Sequence, residues 1–380
     1  MNRSTSRPAP RGWCPSTERP MMSGDGLILR LRPDQGRIEA AGFRTLCALA
    51  RRYGNGVMEV TSRASLQLRG VSEAGYPDLL TEIAAAGLMP RLPQNGAGII
   101  VQPFWRDGAT GLEAEIAEAL GALPPLPAKF GIALDHGAAP WLFETSADIR
   151  VERCAEGRLI VRADGAPLGR PVTPATAADA VAALATWFLE TDGAAVRRMH
   201  RHLATPALPE GWATVAPASP TATPDPGPSP LGPIVGLSFG QAEAVALEML
   251  IDQAEPVAIR MTPWRALLLE GAMAPVSAEG FIHRAGDPLR LIEACPGAPA
   301  CASATVDTRS LARALAERMP NERLHVSGCA KGCAWPRRAK TVIVGREGRF
   351  DLVRDGHAWD EPALQGLTPA EIGDALVGKE

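Results

Sequence analysis

The chain has no Gly-x-Gly-x-x-Gly fingerprint and no P-loop, so no nicotinamide, flavin or nucleotide site is legible in it. Aromatics are scarce (5%, with two Tyr), which argues against a base-stacking platform for nucleic acid. There is no excess of cations: 39 Lys and Arg face 42 Asp and Glu, a net charge of -3. That excludes a globally basic nucleic-acid binder but leaves room for a local basic patch. No run approaches the roughly 18 apolar residues of a membrane span, and the Arg-bearing start lacks the apolar region of a secretory signal. A cytoplasmic protein with reduced thiols is the expectation. Seven Cys in 380 residues with 46% apolar content do not read as a secreted disulfide scaffold.

What is present divides at a proline-rich stretch. Nine prolines fall in the 28 residues from Pro206 to Pro233, a density that removes amide donors and favours an extended, solvated connector. The two parts open alike. GDGLILRLRP, an amphipathic segment over 36–52 and GVMEVTSRASLQLRG are matched by GPIVGLSFG, QAEAVALEMLID and PVAIRMTPWRALLLEG. Alternation from Met58 to Arg63 predicts a half-buried strand through that span. Strand, helix and strand twice over point to duplicated α+β units, with Thr61 and Arg63 set against Thr262 and Arg265. Thr173-Pro174, Asp307 and the Thr368–Glu371 capping box announce three further helices.

The cysteines carry the strongest chemical signal. Cys295 and Cys301 stand in CPGAPAC, Cys329 and Cys333 in CAKGC, with a predicted helix between the pairs. Four thiolates from loops that bend around one centre suit an iron–sulfur cluster, and the Pro and Gly residues supply the bends. The C-x5-C spacing lies outside the usual range for structural zinc, which with unrelated buried thiols is the alternative. Cys47 lies on the apolar face of a predicted helix and reads as core, Cys154 has no visible partner, and Cys14 reads as an arm thiol. Cations gather near the second pair: from His325 to Arg346 there is no acid, while Lys331, Arg337, Arg338 and Lys340 cluster there. Arg63 and Arg69 flank an apolar strand, and Lys129 stands in LPAKFG. Such cations suit a polyanionic substrate or cofactor, although any one of them alone reads first as a solvated surface charge, Arg63 and Lys129 less so.

A C-x5-C and C-x3-C pair behind a duplicated strand–helix–strand unit resembles the sulfite and nitrite reductase superfamily. The stretch Thr61-Ser62-Arg63-Ala64-Ser65-Leu66-Gln67 matches that superfamily's T-x-R-x-x-x-Q. Within it the chain is most similar to the precorrin-3B synthases of aerobic cobalamin biosynthesis, in Cys14-Pro15 with GDGLILRLRP, in LPAKFGIALDHG, in TPWRALLL and in SGCAKGCAWP. Departures from the siroheme reductases are the missing Arg near Ala97–Ile100, Gly131 where a second Lys of K-x-K stands, and Lys331 where Asn is usual.

The resemblance implies an α+β fold with duplicated ferredoxin-like half-domains, two sulfite/nitrite reductase-type α/β domains and a pseudo-two-fold repeat. The expected divisions are a flexible basic arm (1–11), half-domains at 12–80 and 234–276, α/β domains at 81–205 and 277–380, and the linker at 206–233. It implies a 4Fe–4S cluster on Cys295, Cys301, Cys329 and Cys333, and substrate carboxylates on Arg63 and Lys129, with Arg69, Arg265 and Lys331 as weaker candidates. The implied activity is an oxidoreductase of the monooxygenase type. It would convert the tetrapyrrole precorrin-3A to precorrin-3B with O2 and NADH-derived electrons from a separate donor, and would involve neither nucleic acid nor membrane. A further mononuclear non-heme iron belongs to the family's chemistry; His136 and Cys14 are the candidates inside matched motifs, and each reads as structural. A siroheme-dependent sulfite or nitrite reductase and a non-catalytic electron-transfer or zinc-stabilised binding module are the alternatives.

Overall fold

A computed structural model describes residues 7–8, 14–91, 97–106, 110–273, 278–319 and 321–377. Most of the expected basic arm lies outside them. The described residues form four five-stranded sheets in two matching pairs, the α+β architecture that the sequence resemblance implies.

The first pair belongs to the half-domains. One sheet runs Met21–Ser23, Gly26–Leu31, Leu66–Val71, Val57–Val60, Gln241–Glu243; the other runs Phe281–Ile282, Ile234–Leu237, Ala266–Glu270, Ala258–Met261, Arg37–Glu39. Each therefore ends on a short strand donated by the other half: Gln241 pairs with Glu59, and Ile38 with Ile259. The donated strands leave equivalent turns at Asp34–Gly36 and Ser238–Gly240, whose central residues Gln35 (φ 56) and Phe239 (φ 60) are both left-handed. The helices that follow, Ala40–Tyr53 and Ala244–Ala254, lie side by side. One core runs through both halves, with Phe43, Leu46 and Cys47 packed in the same cluster as Leu247, Leu250 and Leu269. The two half-domains, separate in sequence, share one interior.

The strand alternation that continues to Arg63 in sequence stops at Val60. Thr61 ends it: its Oγ1 accepts the amides of Arg63 (3.2 Å) and Ser65 (3.4 Å), and Ala64 turns left-handed at φ 50. Thr262 repeats this with Trp264 and Ala266, each at 3.3 Å, and the left-handed residue is Arg265 at φ 56. The structural counterpart of Arg63 is thus Trp264, and that of Arg265 is Ala64, which corrects by one residue the alignment read from sequence.

The second pair of sheets carries the α/β domains, and their topologies are identical. Gly98–Val101, Gly131–Asp135 and Ile149–Arg153 are parallel, and the antiparallel Leu159–Ala163 and Arg170–Val172 follow. Ile292–Ala294, Leu324–Ser327 and Ala339–Arg346 are likewise parallel, with Arg349–Gly356 and Leu364–Leu367 antiparallel beyond them. Helices start where the caps announce them. Pro174–Glu190 follows the Thr173 capping box, Thr308–Arg318 follows Asp307, whose carboxylate accepts the Arg309 and Ser310 amides, and Pro369–Val377 follows the Thr368–Glu371 exchange. The proline-rich stretch is no free connector. The Ala218 amide bonds the Arg153 carbonyl (2.8 Å), Thr221 bonds Pro140 (2.9 Å), and Gly227 pairs with Ile234.

Because Phe43 is fully buried where both halves meet, Phe43→Ala is expected to cost about 3–5 kcal/mol. A denaturant titration should show one cooperative loss of both halves, not a separate transition for the first.

Candidate functional site

Cys295 and Cys329 follow neighbouring parallel strands, Ile292–Ala294 and Leu324–Ser327, at their carboxyl ends. Open α/β sheets place ligands at that edge. The first loop doubles back through Gly297, where φ is +70 and an added Cβ would lie 2.6 Å from Thr308 Oγ1, so only glycine fits. Thr308 Oγ1 donates to the Cys295 carbonyl at 2.6 Å, and the Cys301 amide to the Gly297 carbonyl at 2.7 Å. Cys295 Sγ accepts the Gly328 amide at 3.1 Å. All four thiols are free, and Cys295 and Cys333 each lie within electrostatic range of Cys301, Cys329 and one another. Burial pushes the Cys295 thiol up, and Cys301 and Cys329 add to this against the Gly328 and Gly297 amides. Bound iron would be needed to hold such thiols as thiolates. Among the described residues no three His, Cys, Asp or Glu close around a single ion; a four-iron cube spreads its thiolates wider. Four free thiols on two adjacent loops, with an amide already aimed at one sulfur, fit a cluster of that kind.

Beside Cys295 and Cys333 opens a cavity of about 160 Å3, also lined by Glu59, Thr61, Arg265 and Arg309. Burial pushes the Glu59 carboxyl up, but Arg309 and Arg69 outweigh it and hold it below the usual carboxylate range. Arg309 Nη2 donates to Glu59 at 2.9 Å, while its Nε is buried without a partner. His325, 1% exposed, lies under the Cys329–Cys333 loop with neither ring nitrogen bonded. Burial, then Arg265, pushes it down to about 4, so it is neutral. Sequence reasoning missed Arg309 and His325: nothing local distinguishes an Arg on an exposed-looking helix or a His on an apolar strand.

A second feature is a group of arginines drawn from distant segments. Arg63 Nη2 and Arg198 Nη1 both donate to the Lys129 carbonyl, at 3.1 and 2.9 Å. Burial, then Arg30 and Arg63, pushes Arg32 down to about 10; burial likewise lowers Arg63, with Arg198 and Arg30 adding to it. Arg30 donates twice to the neutral Gln67, and among the described residues only Arg198 of this group reaches a carboxylate, Asp148 at 3.1 Å. No hydrogen bond among the described residues holds Arg32. Two glycines make room. A Cβ on Gly98 would lie 3.1 Å from the Arg32 guanidinium, and one on Gly131 3.5 Å from Arg63 Nη1. Two of the three positions that the resemblance marks as departures, the stretch with Gly98 and Gly131, are therefore where the Arg32 and Arg63 guanidiniums approach bare backbone.

Several expected residues have other duties. Arg69 is 3% exposed and fully engaged, with Asp25 at 2.8 and 2.9 Å, Glu59 at 3.2 Å and the Ala300 carbonyl at 3.0 Å. It anchors the first cysteine loop and cannot also grip a substrate. Arg265 pairs with Glu293 and donates to the Ala334 carbonyl at 3.2 Å, and Lys331 Nζ donates to Ser303 Oγ at 2.9 Å. The Lys129 side chain, half-buried, has no bond among the described residues. The acid-free stretch reaches the cavity through Cys333 and Ala334, not through its cations: Arg338 donates to the Asp355 carbonyl, Lys340 lies 3.6 Å from Glu322, and Arg337 stacks 5.3 Å over Trp335. Cys14 is not a remote arm thiol, since it lies within electrostatic range of Arg32 and Arg63. Cys47 is core, its thiol pushed up to about 12 by burial, and Cys154 is buried. His136 Nδ1 is buried and unpartnered.

Residues 19–86 match the nitrite/sulfite reductase ferredoxin-like half domain. A protein named precorrin-3B synthase from Sinorhizobium sp is 32% identical over 394 residues, spanning 92% of this chain and 83% of that one. Among solved structures, the Mycobacterium tuberculosis NirA protein matches with a TM-score of 0.62 at 16% identity, over 92% of this chain and 79% of its own. At that identity the likeness speaks for the fold alone.

Since Arg69 neutralises buried Glu59, Arg69→Ala is expected to cost about 3–5 kcal/mol of stability, read by thermal or denaturant unfolding. Gly98→Ala should displace Arg32 with little loss of stability, and a ligand-binding assay should separate the two variants.

Proposed function

The chain belongs to the precorrin-3B synthase family, an enzyme family of the oxidoreductase type in cobalamin biosynthesis, and we propose that it converts precorrin-3A to precorrin-3B as a monooxygenase. In this reaction one oxygen atom of O2 enters the meso carbon between rings A and D as a hydroxyl, and the ring A acetate closes on the macrocycle as a γ-lactone. The second oxygen atom leaves as water, with two electrons from an NADH-dependent donor and two protons. Cys295, Cys301, Cys329 and Cys333 would hold a 4Fe–4S cluster, which when bound stores and passes single electrons.

The observation that carries this reading is the under-neutralised arginine group, linked through Gln67, Glu59 and Arg69 to the four-thiol cradle. Precorrin-3A bears eight carboxylates, and a substrate of that charge would supply the carboxylate partners that Arg30, Arg32 and Arg63 lack among the described residues. Arginine forks suit carboxylates because two parallel donors meet two oxygens. Arg32 and Arg63 would bind and orient the macrocycle by its side chains, with the Lys129 ammonium as a further cation at the rim. The Lys129 carbonyl fixes the direction of Arg63 and Arg198. Thr61 sets the turn that presents Arg63. Neutral His325 leaves a buried donor and acceptor, and Arg309 Nε a buried donor, next to the cradle.

A siroheme-dependent sulfite or nitrite reductase is the competing reading, favoured by the shared fold. Small anions need cations focused on one atom, whereas here Gly98 and Gly131 leave the strand starts bare and spread the cations wider. Anaerobic purification with iron, sulfide and heme quantitation separates the two. Iron and sulfide without a heme spectrum, followed by O2-dependent consumption of precorrin-3A with a reductant, is the expected result; a Soret-type spectrum would instead support the reductase.

Cys301→Ser is expected to lose the brown iron–sulfur absorbance and Cys47→Ser to keep it; retention in both would overturn the ligand assignment. Arg63→Ala should weaken precorrin-3A binding by about 10- to 100-fold, the equivalent of about 1.5–3 kcal/mol for a charged hydrogen bond, with the cluster spectrum unchanged.

A further inference from the structure

The two α/β domains match strand for strand, so every feature of the cysteine cradle has a counterpart in the first domain. The register is fixed by equivalent bonds: the Gln102 amide donates to the Leu134 carbonyl (3.1 Å) as the Cys295 amide donates to Val326 (3.3 Å). Counting along both strand pairs, Gln102 stands where Cys295 stands, Gly137 where Cys329 stands and Trp141 where Cys333 stands; the counterpart of Cys301 lies outside the described residues. The anchoring is mirrored too. Arg69, paired with Glu59, donates to the Ala300 carbonyl of the cysteine loop; Arg260, paired with Glu270 at 2.8 Å, donates to the Pro103 and Trp105 carbonyls at 2.9 and 2.7 Å. The counterpart loop is thus held by the same device with the charges exchanged between strands.

What this second cradle encloses is a cavity of about 620 Å3 lined by Gln102, Phe104, Arg106, Gly137 and Trp141, and roofed by the proline-rich stretch from Pro224 to Leu231. We propose that this cavity is a second ligand site, for a flat, fused-ring heteroaromatic bearing one phosphate. No thiol occurs at the three described counterpart positions, so a cluster is excluded there. Trp141 and Phe104 form an aromatic corner, ring centroids 5.0 Å apart and tilted by 51°, and Trp264, the counterpart of Arg63, closes on Phe104 at 6.1 Å. Aromatic faces of this kind take a planar ring. Among the described residues, no bond uses the amides of Gly137, Ala138 or Ala139, which follow the carboxyl end of a parallel strand. Successive free amides at that edge suit an anion. Arg106 is the cation of the lining, and Asp225, its acid, is neutralised by Arg290 at 2.5 Å. One arginine cannot match an eight-carboxylate macrocycle, so this site and the arginine group would select different ligands. The volume lies within the usual range for small-molecule sites, about 300–1,000 Å3.

The test uses the full cluster-loaded protein, with flavin mononucleotide as the probe and riboflavin as its phosphate-free comparison, read by quenching of flavin emission. Saturable quenching is expected, tighter for the mononucleotide. Trp141→Ala should weaken it about tenfold or more, the size of one stacking contact. Arg106→Ala should abolish the preference for the mononucleotide, and Arg63→Ala should leave its binding unchanged. Absence of saturation, equal affinity in Trp141→Ala, or loss of binding in Arg63→Ala would each overturn the proposal. Should Trp141→Ala fail to fold by circular dichroism, the Arg106→Ala comparison decides alone. None of these outcomes bears on precorrin-3A turnover, which reads the other site.

Discussion

The buried carboxylate of Glu59 is the point on which the site depends. It accepts hydrogen bonds from Gln67, Arg69 and Arg309, and through them it joins a half-domain strand, its neighbour and the helix that follows the first cysteine loop. A carboxylate at 8% exposure would be costly alone; here two guanidiniums outweigh the burial. Arg69 then extends the network to the Ala300 carbonyl, and Gln67 extends it the other way to Arg30. One buried charge network therefore runs from the cysteine cradle to the arginine group.

The exchange of short strands adds a second constraint. Each half-domain sheet is completed by a strand of the other, so neither can turn or slide without opening its partner. The arginine group inherits that rigidity: Arg30, Arg32 and Arg63 rise from one half-domain, Lys129 and Arg198 from an α/β domain, and Arg32 and Arg63 approach two glycines. Burial, and then repulsion among the guanidiniums, lowers Arg32 and Arg63, a cost that a polyanionic ligand would relieve.

Much of this was legible beforehand, for definite reasons. The helix starts at Thr173, Asp307 and Thr368 are local hydrogen-bonding patterns, and local patterns survive folding. Cys47 was placed in the core by helical periodicity. The duplication was visible because both halves repeat strand, helix and strand. Other readings failed where distance in the chain mattered. The alternation through Arg63 continued past the true strand end because Thr61 can serve either a strand or a turn. The acid-free stretch from His325 to Arg346 gathers cations near the second Cys pair, yet they find carbonyls and a carboxylate elsewhere and the ring of Trp335 in the stretch itself. Arg69 looked like a ligand for substrate because Asp25 and Glu59 stand 44 and 10 residues away.

By itself the sequence determined the classes of element, the repeat, the family resemblance and the grouping of four cysteines into two close pairs, since all of these are written in short-range spacing and residue type. Only the tertiary structure decided which cations are spent on anchoring and which are left without a carboxylate partner among the described residues. It also drew Cys14 toward Arg32 and Arg63, left His325 and Arg309 with unpartnered nitrogens, and enclosed an aromatic cavity where the first domain repeats the cradle without its thiols. The physical reason is common to these cases. Whether a charged or polar side chain is available to a ligand depends on what else lies within hydrogen-bonding reach, and that is set by strands and loops far apart in the chain.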